Sequence, residues 1–182
     1  TDLKILIIDK KSISDLPIAH VKAEVIYFSY SDQKKFISNN KNDFDCESII
    51  SIENYLYLFS KDRGDNKTRV YKLSKTPGTY LISPYSEFNS RGRICGASYN
   101  SSIHQLALIG YMPSTINSFL WIMNDFKNED FFEGTKTRIE IGKHKGNWKT
   151  EGIAYQSLNR LFISCENTQN EKAGLYVYLP EK

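Results

Sequence analysis

No apolar run in the sequence approaches the roughly 18 residues of a membrane-spanning helix, and no basic-then-apolar leader follows Thr1. Histidine is scarce: His20, His104 and His144 stand apart from one another and from any cysteine, unlike the ligand spacings of a zinc site. Cys46, Cys95 and Cys165 are odd in number and widely spaced, so they read as buried free thiols, not a disulfide framework. A Gly-x-Ser-x-Gly nucleophile elbow and a phosphate-cradling Gly-rich loop are both missing. So is any basic block: 24 Lys and Arg are interspersed with 21 Asp and Glu, which speaks against a nucleic-acid partner.

What the chain has is aromatic residues, 12 Tyr and 10 Phe among 182, a composition that favours strands over helices. Apolar runs of strand length occur at 3–8 (LKILII) and 23–30 (AEVIYFSY), followed by a polar loop over 32–45. A four-strand unit then opens, with strands expected at 47–52, 55–60, 68–73 and 80–88. Thr76-Pro77-Gly78-Thr79 fits a type II turn, with Gly78 supplying positive φ. The layout recurs at 95–99, 105–111, 119–123 and 137–142, and in part at 151–155, 161–165 and 174–179.

The recurrence has fixed offsets. Glu47, Gly96 and Glu151 hold corresponding positions, spaced by about 50 residues, and each is followed at similar distances by a second and a third strand. Strands such as 55–60 (YLYLFS) are apolar on both faces, as required of a sheet packed by neighbours on each side. The expectation is an all-β single domain of β-propeller blades, each of four antiparallel strands. The repeat units are 1–32 (a half blade), 43–89, 91–143 and 147–182. With about three and a half blades against the usual 4–8, the chain reads as a partial, N-terminally truncated propeller. The strand at 174–179 then offers an open sheet edge and a route to self-association.

The segments DFDCESIIS, KTRVYKLSKTPGTY, LALIGY, FLWIMNDF and TEGIAYQSLNRLFISCE resemble uncharacterised bacterial secreted propellers over nearly the whole chain. Glu-Gly-Ile-Ala at 151–154 is also similar to the inner-strand start of phytase-like, esterase-like and gluconolactonase-type propellers. The first resemblance implies a secreted, periplasmic or cell-surface location. The second implies that acids at the inner-strand starts, Glu47 and Glu151, hold Ca2+, a hard cation that collects several oxygens. Gly96 interrupts that series, and the alternative is carboxylates bonded to backbone N–H groups or lining a water-filled tunnel.

Asp45, with Asp43, precedes the first inner strand and is a candidate for the same acidic rim. Asp62 and Glu166, fifteen positions after Glu47 and Glu151, are expected at the opposite mouth, most simply as solvated hairpin residues. Trp148 either packs between blades or faces a ligand at the channel mouth. Arg63-Gly64-Asp65 spells an adhesion tripeptide that a Gly-bearing hairpin tip explains without a receptor, and Asn66 and Asn100 begin glycosylation triplets of a common kind. The favoured function is a non-enzymatic module that binds a ligand or protein. The alternative is a Ca2+-assisted hydrolase of phosphoesters, esters or lactones.

Overall fold

The computed structural model describes residues 3–36, 41–115, 117–142, 148–168 and 172–180. Among these the regular structure is strand, apart from one 3-10 turn at Lys10–Ser12, where the Asp9 carboxylate accepts from the Lys11 N–H. The strands form four sheets. The first holds β1 (Leu3–Ile8), β2 (Ala23–Tyr30) and, after a long excursion, β6 (Gly78–Ile82), in the order β1-β2-β6. The second holds β3 (Cys46–Ile52), β4 (Tyr55–Ser60), β5 (Thr68–Ser74) and β7 (Pro84–Phe88). The third holds β8 (Arg93–Asn100), β9 (Gln105–Tyr111), β10 (Ser118–Asn124) and β11 (Thr135–Ile141), and the fourth β12 (Thr150–Ser157), β13 (Arg160–Cys165) and β14 (Gly174–Tyr178).

Successive side chains of a strand point to opposite faces, and here each face has its own core. On β4, Tyr57 and Phe59 turn toward the third sheet, where they meet Leu106, Leu108 and Phe119. Leu58, between them, turns the other way onto Ile26 and Phe28 of the first sheet. On β9 the same alternation sends Leu106 and Leu108 to the second sheet and Ala107 and Ile109 to Leu161 and Ile163 of the fourth. The sheets are therefore stacked face to face, with three cores between four layers. Phe131, from the β10–β11 connection, closes the middle core, its ring 5.2 Å from that of Tyr57. Each such fully buried aromatic or aliphatic side chain contributes about 1.5–3 kcal/mol.

Three local readings are corrected. The single strand expected over 80–88 divides at Ser83: β6 pairs with β2 in parallel, and β7 pairs with β5 antiparallel. Pro84 opens β7, a position where its missing N–H costs no ladder bond. Gly78 begins β6 without a positive φ, so the turn over 76–79 is not type II. Of the three free thiols Cys95 and Cys165 are buried, but Cys46 is exposed.

The edge strands β3, β8 and β12, termed inner strands because β8 lies between the other two, are side by side. Gly96 makes this possible: a Cβ there would stand 2.7 Å from Ile109 Cγ2 and 3.1 Å from the Gly152 Cα. The Tyr155 N–H of β12 also donates to Ser98 Oγ of β8, at 3.0 Å.

Candidate functional site

Each inner strand carries a bulge at its second or third residue. The register jumps at Glu47 in β3, at Cys95 in β8 and at Glu151 in β12. A bulge inserts one unpaired residue and re-aims its side chain. The structural equivalent of Glu47 and Glu151 is thus Cys95, one position before Gly96. Cys95 is buried, its thiol 2.8 Å from the Thr150 carbonyl, and burial pushes its pKa up to about 12.

The hairpins add two further positions to each bulge. Asp45, Arg93 and Lys149 lie just before or at the start of the inner strands, and Lys61, Tyr111 and Glu166 lie at the end of the partner strands. Backbone bonds tie them together: Lys61 N–H donates to the Asp45 carbonyl at 2.7 Å, and Glu166 N–H to that of Lys149 at 3.1 Å. An antiparallel hairpin returns to the edge it left. For that reason Glu166 lies beside Glu151, and not at the opposite mouth. Its carboxylate is paired with Lys149, which also lies 3.1 Å from Glu151 Oε1. That last contact is off the direction of a hydrogen bond, so Glu151 Oε1 is buried with a charge partner but no donor.

The first-repeat half is built the same way. Lys61 Nζ lies 3.2 Å from Glu47 Oε1, and Arg63 Nη2 lies 2.5 Å from Asp45 Oδ2 and 3.4 Å from Glu47 Oε1. Between the two halves stands the buried ring of Tyr111, with Lys61 Nζ 5.3 Å and Lys149 Nζ 5.4 Å from its centroid. An ammonium near an aromatic face is attracted to the ring quadrupole, and two share this one.

The titrations follow from that geometry. Burial raises Glu47, and the adjacent Asp45 adds to the effect. Burial acts on Asp45 in the same sense, but the Arg63 guanidinium outweighs it and Asp45 ends below its ordinary value. Burial would lower Lys61, yet Tyr111, Glu47 and Glu151 together hold it above the usual lysine value. Lys149 is raised likewise, by Glu166 and Glu151 against burial. The start of the inner strands is a mesh of acidic and basic side chains.

Neither a family model, a curated protein sequence nor a solved structure matches this chain.

The donor set does not suit Ca2+. A calcium ion wants roughly six to eight oxygens free to converge. Here Glu47 is held by Lys61 and Arg63, Asp45 by Arg63, and Glu151 and Glu166 by Lys149. Among the described residues no three His, Cys, Asp or Glu side chains are placed to hold a metal ion.

The remaining candidates are elsewhere. Asp62 is fully buried, not solvated, and is paired with Arg69, which also reaches Asp65 and Glu87. It pins the loop over 61–67 to β5 and β7. Asp43 accepts from the Gly64 N–H at 2.7 Å, and with Arg63 bound to Asp45 the Arg-Gly-Asp tripeptide is folded into the loop. Trp148 packs edge-on against Tyr176, with ring centroids 5.0 Å apart, and against Gly142. His20 and His104 are exposed, His104 bridging Tyr99 and the Phe126 carbonyl; His144 lies outside the described residues.

Lys61, Arg63, Tyr111, Lys149 and Cys95 were not legible as site residues. A signal for one of them exists: Lys61 closes its hairpin at the level of Asp45, as Glu166 does at the level of Lys149. Hairpin return alone would have set an opposite charge beside Glu47.

Proposed function

We propose that the chain is part of a β-propeller, with its four sheets as blades, and that it acts as a ligand- or protein-binding module of a secreted or envelope protein. Face-to-face stacking, with β3, β8 and β12 adjacent along one line, supports the propeller reading. Among the described residues β1 pairs only with β2 and β14 only with β13, so each offers an edge that another strand could cover. Left alone, those edges would favour self-association. Among the described residues no helix is long and apolar enough to cross a membrane. The location outside the cytoplasm rests on the resemblance to secreted propellers.

One observation carries binding over hydrolysis. Each inner-strand carboxylate is matched to a lysine, Glu47 to Lys61 and Glu151 to Lys149, across the ring they share. Such a face, with each inner-strand carboxylate already beside a cation, recognises a partner of mixed charge. The test is a calcium titration of thermal unfolding. Ca2+ bound to the native state would add about 2.7 kcal/mol at a hundredfold excess over its Kd. The expected result is no such gain in the wild type and a gain in the Lys61→Met/Lys149→Met variant, whose four acids have lost two cations. A calcium gain in the wild type, with turnover of phosphoester or lactone substrates, would overturn the reading.

A further inference from the structure

At the other end of the same inner strands the chemistry is different. The turns of the β8–β9 and β12–β13 hairpins flank an open cavity of about 390 Å³, within the roughly 300–1,000 Å³ range of small-molecule sites. Two tyrosines line it, Tyr99 and Tyr155, each four residues beyond the bulge of its strand. Their hydroxyls are already engaged, Tyr99 with His104 Nδ1 at 2.7 Å and Tyr155 with Gln105 Oε1. Those bonds fix the rings. The Tyr155 N–H bond to Ser98 fixes the distance between the two hairpins.

The rest of the lining is amide, hydroxyl and one aliphatic group. Asn100 accepts the Ser102 N–H through Oδ1, which leaves its amide N–H groups to face a ligand. Gln156 and Ser157 are exposed on the facing hairpin, with Leu158 beside them. Among the described residues no Asp, Glu, Lys or Arg lines the cavity. A charged ligand would lose hydration there without gaining a counter-charge, and a wholly apolar one would leave the amides and hydroxyls unpaired. A ligand with hydroxyls around a ring and an apolar ring face satisfies both the polar groups and the tyrosines.

From this we infer that the cleft between the two hairpin turns is a binding subsite for a neutral saccharide of one or two rings. It is independent of the charged end and does not need the proposal made for that end.

The experiment is an amide ¹H–¹⁵N titration of the whole chain with glucose, N-acetylglucosamine, maltose and cellobiose, and with glucuronate as the charged analogue. At least one neutral sugar should give saturable shifts at Tyr99, Asn100, Gln156 and Ser157. Glucuronate should bind at least about ten-fold more weakly than glucose, as a carboxylate buried without a partner requires. Tyr155→Ala should weaken sugar binding by about ten-fold or more, from the lost ring contact. Tyr155 is half-buried, so the exposed Ser157→Asp serves as the second variant: it puts a charge in the cleft without touching the core, and it should abolish the shifts. The proposal fails if none of the four neutral sugars gives saturable shifts, if glucuronate binds as well as glucose, or if Ser157→Asp leaves the response unchanged. Lys61→Met should not alter the sugar response, so failure here and failure of the charged-face reading are distinguishable.

Discussion

The two ends of the inner strands share one scaffold and differ in almost everything else. At the strand starts, Asp45, Glu47, Lys61, Arg63, Lys149, Glu151 and Glu166 form a mesh around Tyr111. At the hairpin turns, Tyr99 and Tyr155 are set among amides and hydroxyls, with no formal charge among the described residues that line the cleft. The difference follows from position in the repeat. A bulge re-aims one side chain per strand at the start, and the returning strand brings a second beside it, so charges meet in pairs. The turns carry Asn and Ser because those residues close turns through their own side chains. Opposite ends of the same strands thus hold unlike chemistry, and stability and recognition can be varied at one end without the other.

The largest effect should come from a change that breaks both ends at once. Gly96→Val places a branched side chain against Ile109 and the Gly152 backbone, in the contact between β8 and β12. Overpacking of this kind costs about 3 kcal/mol where the neighbour is backbone and cannot move aside. Urea unfolding should show the loss, and amide shifts should move at Tyr155 as well as at Glu151. If only one end responded, the inner strands would not be a common scaffold.

Next in size is Lys61→Met. Lys61 is 3% exposed, and removing it leaves Glu47 beside Asp45 with only Arg63 for both. Breaking a fully buried pair costs about 3–5 kcal/mol; because Glu47 retains 24% side-chain exposure, the expected loss is about 2 kcal/mol. The turn-end amides should be unmoved. Shifts there would mean the ends are coupled and the comparison is wrong.

Acid should also act on one end only. Burial raises Asp62 to about 7, with Ser60 and Arg69 opposing and Asp65 and Asp43 adding to the rise. A carboxyl raised in the folded state binds its proton more tightly there than in the unfolded chain. Its contribution therefore improves as pH falls through about 7 and levels off below the ordinary aspartate range near 4. The change is about 1 kcal/mol per pH unit at its steepest. Stability of the wild type relative to Asp62→Asn, measured from pH 8 to pH 4, should rise over that window. A flat or falling difference would show that Arg69 keeps Asp62 ionised throughout.

The alternation of YLYLFS between two cores was readable from the sequence because side-chain direction in a strand has a period of two. The same period placed the strands of all four sheets to within a few residues. Two kinds of feature escaped it. The bulge at Cys95 is a local insertion with no residue signature, so the repeat was aligned one position late, on Gly96. The parallel pairing of β6 with β2 links segments some fifty residues apart, and nothing in GTYLI distinguishes an outer strand of one sheet from that of the next. In the candidate site the acids Glu47 and Glu151 were found from spacing; of their lysine partners, Lys61 comes from the returning strand, while Lys149 stands two residues before Glu151. Asp62 was misjudged because its neighbours Lys61 and Arg63 are polar, although all three are held in ion pairs.

The smallest effect is also the one that bears most on what the charged end is for. Lys149 bridges Glu151 and Glu166 with 27% of its side chain still exposed, and Glu166 is more open still. Ion pairs in such settings contribute about 0–1 kcal/mol, because water screens them and long side chains lose entropy in holding one geometry. Lys149→Ala should therefore cost less than about 1 kcal/mol in urea unfolding, and the cost should shrink as salt shortens the screening length. The two carboxylates it leaves behind change the face from balanced to acidic. Binding to a charged partner would then shift strongly while stability barely moved. A loss well above 1 kcal/mol, insensitive to salt, would assign the pair to holding the fourth sheet in place. The mesh at the strand starts would then be a fold element, and the neutral cleft at the turns would be the better candidate for recognition.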